Sequence, residues 1–166
     1  MNVKRIVVGE LDENCYIVEN KDNCIIIDPG DEVDKIVNNI DKKVVGILVT
    51  HYHFDHIGAL DELVNKYKVK VNEVFDGFDY EIIETKGHTD DSKSFYFKSD
   101  NIMFCGDFIF KNGIGRLDLG GNSDDMVNSL KMIRKYPSDM VLYPGHGDKA
   151  LLSNELNNID YYINVL

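Results

Sequence analysis

Five histidines and a few aspartates carry the chemistry of this sequence. Three of the histidines fall within six residues, in Thr50-His51-Tyr52-His53-Phe54-Asp55-His56. In an extended chain residues i and i+2 project from one side, so His51 and His53 can share a metal ion. Asp55 and His56 are adjacent, and a turn must bring them to a common side, where they can face a second ion. Imidazole nitrogens and carboxylate oxygens are the usual donors to zinc. A lone histidine is more often satisfied by hydrogen bonds, but the other two also sit in glycine-flanked loops, Lys86-Gly87-His88-Thr89 and Tyr143-Pro144-Gly145-His146-Gly147. Such turns are where functional side chains tend to be displayed. Asp107 ends a strand in Cys105-Gly106-Asp107, after a glycine that permits a tight turn. Its place between the two later histidine loops makes it a candidate ligand. Seven donors are too many for one tetrahedral ion. No Gly-x-Ser-x-Gly elbow offers a serine nucleophile instead.

The elements that must position these residues can be read from periodicity. Strands are expected at Val3–Val8, Cys15–Glu19 and Cys24–Asp28, the last ending at Pro29-Gly30. Val33, Ile36, Val37 and Ile40 follow one helical face. Lys43–Thr50 reads as a strand apolar on both faces, and Ala59–Tyr67 as a helix with Leu60, Leu63 and Val64 inward. Further strands are expected at Glu81–Thr85, Ser94–Lys98, Asn101–Cys105 and Asp139–Tyr143. Helices are expected from a Ser123 cap to about Tyr136, and over Ser153–Ile163 with Ser153 as cap. Strands in runs, with helices inserted, predict two sheets covered by helices within one domain spanning residues 1–166.

The order T-H-x-H-x-D-H, G-H-T, G-D, P-G-H-G resembles the metallo-β-lactamase superfamily, and within it the glyoxalase II type of hydroxyacyl-thioester hydrolase. Asn14-Cys15-Tyr16, Ile27-Asp28-Pro29-Gly30 and Gly113-Ile114-Gly115-Arg116-Leu117-Asp118-Leu119 extend the resemblance over nearly the whole chain. It implies an α+β fold, a four-layer αββα sandwich. It also implies two divalent ions, zinc first, with iron or manganese as alternatives. By the same resemblance His51, His53 and His88 hold one ion, Asp55, His56 and His146 the other, and Asp107 bridges them. The nucleophile implied is a hydroxide generated at the metal pair, with Asp55 orienting it and taking up a proton. Asp28 has two readings: a cap of the Pro29-Gly30 turn, or support for the metal loops as the resemblance implies. Arg116 likewise either faces substrate, as in glyoxalase II-like enzymes, or forms an ion pair with Asp118 or another carboxylate.

Composition narrows the partners. With 29 acidic against 18 basic residues the net charge is -11, and no basic cluster exists to meet nucleic acid. The 43% hydrophobic content suits a packed globular protein. Apolar runs are strand-length, and the N-terminus enters a strand directly, so neither a membrane span nor an export signal is expected. A cytoplasmic protein, monomeric or a small homo-oligomer, follows as the expectation. Cys15, Cys24 and Cys105 read as reduced core thiols. The expected substrate is a small acyl thioester. Alternatives are another ester or lactone, or the chemistry of mononuclear-iron persulfide dioxygenases, which share the ligand set. Two departures bear on the thiol: Ile57–Gly87 is short for the branch, and only about twenty residues follow His146. Both predict a weak grip on glutathione. Asp90 and Asp91, which precede Ser92 in the second histidine loop, alter that loop but not its ligand.

Overall fold

A computed structural model describes residues 1–166 as two compact units, Met1–Asp79 and Tyr80–Leu166. The first unit carries a sheet of β1 (Asn2–Val8), β2 (Glu13–Glu19), β3 (Asn23–Ile27) and β4 (Lys43–Leu48), in that order. The first three run antiparallel and β4 joins β3 in parallel, with Ile27 opposite Leu48. That register sets Asp28, just past β3, beside the chain leaving β4. Three helices complete the unit: α1 (Val33–Val37), α2 (Phe54–Ile57) and α3 (Leu60–Tyr67). On one sheet face Cys15, Ile17, Cys24, Ile26 and Ile47 pack with Ile36 of α1 and with Leu60 and Leu63 of α3. The alternate residues Tyr16, Val18, Ile25, Ile27 and Leu48 are buried too. This explains why β3 and β4 read as continuous apolar runs rather than alternating ones.

The second unit has a sheet ordered β11-β10-β7-β6-β5, from β5 (Glu81–Glu84), β6 (Lys93–Phe97), β7 (Ile102–Gly106), β10 (Val141–Pro144) and β11 (Ala150–Leu151). A short hairpin of β8 (Ile109–Phe110) and β9 (Gly113–Ile114) follows β7. Helices α4 (Ser123–Ile133) and α5 (Leu152–Val165) pack Met126, Leu130, Ile133, Leu152 and Ile159 against Met103, Cys105 and Leu142. Strands β7 and β10 are parallel, and the pairing ends with Pro144 opposite Gly106. Their ends therefore deliver Asp107 and His146 to the same edge. No helix is long and apolar enough to cross a membrane.

The turn expected at Asp55 and His56 is present, as the single helical turn of α2. Several local expectations need correction. Helix α1 stops at Val37, leaving Ile40 outside it although packed on the core. Asn122, not Ser123, caps α4: its side chain accepts from the Asp125 N–H at 2.9 Å. Ser123 is the first helical residue, since the extended cap conformation falls one residue earlier. Helix α5 starts at Leu152 with no side-chain cap, so Ser153 lies inside it. The three cysteines are buried thiols that form no disulfide, as expected. Burial pushes the Cys15 thiol well up and the Cys24 thiol up to about 11. The Cys105 thiol has the carbonyls of Ile109 (3.3 Å) and Tyr143 (3.6 Å) as acceptors for its one proton, which fits a packing role.

Candidate metal centre

In the first unit the donors hang from the chain leaving β4. Asp28 anchors it: one carboxylate oxygen accepts from the Thr50 N–H at 2.7 Å, the other from the Thr50 hydroxyl at 2.7 Å. Asp28 adopts φ 49°, a left-handed conformation that Asp tolerates better than most residues. The second oxygen also lies 3.1 Å from Nδ1 of His56. A carboxylate only accepts, so His56 Nδ1 carries the proton and donates. The Thr50 hydroxyl has spent its one proton on Asp28, so toward His51 Nδ1, 3.1 Å away, it must accept. Both imidazoles are thereby fixed with Nδ1–H turned to the protein, leaving Nε2 with its lone pair. This is how metal-binding histidines are usually oriented. Asp28 thus ties the chain after β3 to Thr50 and His56.

Those lone pairs converge. The ring of His51 lies 4.1 Å from that of His56 and 4.8 Å from that of His53, between centroids. His51 Nε2 is 3.2 Å from His53 Nδ1, and His56 Nε2 is 3.8 Å from an Asp55 oxygen. Two donors about 2.1 Å from one tetrahedral ion are about 3.4 Å apart, so these spacings suit neighbours in a coordination shell. The loop reaches this shape because Gly30 and Gly58 let main chain close in. A Cβ on Gly30 would lie 1.9 Å from the Asp55 carbonyl oxygen, and one on Gly58 2.2 Å from the Gly30 oxygen.

The second unit presents the remaining donors by the same device. His88 is buried after β5, and its Nδ1 lies 2.7 Å from the Arg116 carbonyl. A carbonyl cannot donate, so Nδ1 does, and Nε2 again keeps its lone pair. Gly87 has φ 143° and abuts Met126, where a Cβ would come within 2.6 Å of main chain. Gly115 is equally constrained, because a Cβ there would lie 1.8 Å from the Asp107 carbonyl oxygen and 3.1 Å from the His88 ring. One Asp107 oxygen stands 3.6 Å from His88 Nε2 and 3.6 Å from His146 Nε2. The Gly145 N–H donates to the Gly106 carbonyl at 2.9 Å, tying the loops that carry Asp107 and His146 together. The Arg116 side chain is exposed and paired with Asp118, its Nε donating at 2.6 Å. That pairing holds the Asp118 carboxyl down at about 2. Arg116 thus meets the cluster through its main chain, by orienting His88.

Two contributors escaped the sequence reading. Thr50 relays His51 to Asp28, and its place directly before the first histidine was the available signal. Glu13 is buried, with one oxygen 3.7 Å from His56 Nδ1, so two carboxylates flank that nitrogen. Nothing in the sequence marks Glu13 out from the other acidic residues. The Asp28 network can be tested directly. Asp28→Asn should keep the backbone and the bond from the Thr50 N–H, but sets an amide donor against two donors. We expect metal affinity to fall about 10- to 100-fold with the fold retained, read by competitive metal titration and circular dichroism.

The model of the metallo-beta-lactamase superfamily matches residues 8–74 and 71–146. The chain belongs to this superfamily. A probable metallo-hydrolase of Bacillus subtilis is 31% identical, over 90% of this chain and 92% of that protein. The hydroxyacylglutathione hydrolase GloC of Haemophilus influenzae is 26% identical, over 93% and 95% respectively. Among solved structures, a protein crystallised in a di-iron-bound form is 27% identical with a TM-score of 0.84, over 92% of this chain and 96% of that one. The α+β fold is thus the metallo-β-lactamase fold, as the sequence motifs implied. The protein is a metal-binding hydrolase of this superfamily. Its histidines and aspartates form groups competent to hold divalent metal.

Proposed function

We propose that this protein hydrolyses a hydroxyacyl thioester at a pair of divalent ions, within one catalytic domain spanning the chain. His51, His53 and His88 would hold one ion, Asp55, His56 and His146 the other, and Asp107 would bridge them. Zinc is our first assignment, with iron or manganese as alternatives. The observation that carries the reading is the contact that Nδ1 of His51, His56 and His88 each makes with a protein oxygen, at 3.1, 3.1 and 2.7 Å. In each, Nδ1 is committed to a protein acceptor, so Nε2 is held ready as a donor. Asp107, with one oxygen equidistant from two histidine nitrogens, suits a bridging role. A metal pair supplies an activated water and a Lewis acid for the substrate carbonyl.

The chain's own residues divide the remaining work. Asp28, Thr50 and the Arg116 carbonyl hold the imidazoles in register. Asp55, in the first turn of α2 with a partly exposed side chain, is our assignment for the proton carrier. Its carboxylate takes the proton released as water attacks and passes it to the leaving thiolate, giving acid and free thiol. The thioester assignment draws on GloC, which aligns with 93% of this chain over 95% of its own length. The test is elemental analysis of protein as isolated, with turnover on lactoyl thioesters, lactones and persulfides. Two ions per chain and fastest turnover of the thioesters are expected. One ion with full activity, or oxygen uptake on persulfide, would overturn the reading.

A further inference from the structure

A groove of about 430 Å³ in the first unit has Asp55 in its wall. Leu11, in the turn between β1 and β2, and Phe54, at the start of α2, also line it. Both are large apolar side chains left in water, 53% and 75% exposed. Gly30 and Gly58 form part of the lining, and their contacts with main chain exclude any side chain there. The charged residues of the lining are Glu10, Asp31 and Asp55, all acidic. Apolar surface rimmed by polar groups, beside a candidate ligand, marks a place where part of a substrate lies.

We propose that this groove receives the thiol carrier and selects an uncharged, methylene-rich arm over an anionic one. The inference rests on the thioester reading above and extends it to the carrier. A hydroxyacyl group of a few heavy atoms cannot fill such a volume, so the larger half of the substrate is its fitting occupant. Leu11 and Phe54 gain by covering methylenes, each worth roughly two- to fourfold in binding when buried. Glu10 and Asp31 repel a carboxylate carried on the same arm. Both are exposed, so the repulsion is screened by salt and is worth a modest factor.

The test uses metal-loaded protein and one hydroxyacyl group on two thiols, neutral N-acetylcysteamine and anionic glutathione. Non-hydrolysable thioethers of the same thiols, titrated by calorimetry, give binding independently of turnover. We expect the neutral carrier to have the lower KM and Kd, with the gap narrowing as salt rises. Glu10→Lys should lower KM for the glutathione thioester about three- to tenfold and barely move the neutral one, a gain that structural damage would not produce. Leu11→Ala should raise KM for the neutral thioester about two- to fivefold at unchanged kcat. Turnover of both thioesters with KM indifferent to carrier charge and to Glu10→Lys would overturn the groove assignment. Thioether binding that follows carrier charge, without turnover of any thioester, would overturn the thioesterase reading and leave the groove's selectivity standing.

Discussion

Asp107→Ala should cost on the order of a thousandfold or more in kcat/KM, more than any other single aspartate outside α2. One oxygen of Asp107 stands equally far from His88 and His146, so its loss removes a donor from two neighbouring positions at once. Its side chain is only 12% exposed, and water entering the vacated space would be a poor substitute for a fixed carboxylate. Asp28→Ala should cost less, about 10- to 100-fold, because Asp28 acts through Thr50 and His56 rather than as a proposed ligand. Arg116→Ala should cost least. Its side chain serves an exposed pair with Asp118, and the carbonyl that orients His88 survives the substitution. Steady-state kinetics on a thioester, with metal content measured for each variant, gives the ranking. Equal losses in all three at equal metal content would sink the bridging assignment.

The loops that carry the candidate ligands stand out in the sequence because each interrupts an apolar run with residues that have no structural reason to be there. Val44 to Val49 predicts a buried strand, and a cluster of histidines at its end makes sense only as displayed chemistry. The edges of elements were harder. At α4 the cap falls on Asn122 rather than Ser123, and both residue types cap well, so only the backbone angles decide. The first turn of α5 has no polar cap, so Ser153 was a misleading signal. The pair Asp55-His56 was expected to need a turn, and α2 supplies one in helical form. What could not be read was any role exercised through main chain or through long-range contact. Arg116 drew attention for its charge, yet its carbonyl touches His88. Glu13 reaches His56 from 43 positions away. Sequence shows residue type and local spacing, and neither contact depends on those.

Removing the metals should lower the melting temperature by about 10 °C, reversibly. The physical ground is that the donors are already gathered. His53 and His56 have ring centroids within 4.8 Å of the His51 ring, and Asp28, Glu13 and Asp55 crowd the same few residues. In the unfolded chain these groups are dispersed, so ions bind the native state far better and stabilise it by mass action. At a free ion concentration a thousandfold above Kd that stabilisation is about 4 kcal/mol. For a chain of this size each kcal/mol moves the melting temperature by about 2–4 °C. A scan before and after chelation, then after adding back zinc or ferrous ion, measures the shift. Asp107→Ala should show a smaller shift than the parent, because it holds metal less tightly to begin with. A melting temperature unmoved by chelation, in protein shown to have lost its metal, would mean that the donors are positioned by the protein alone and that the ions add nothing to its stability.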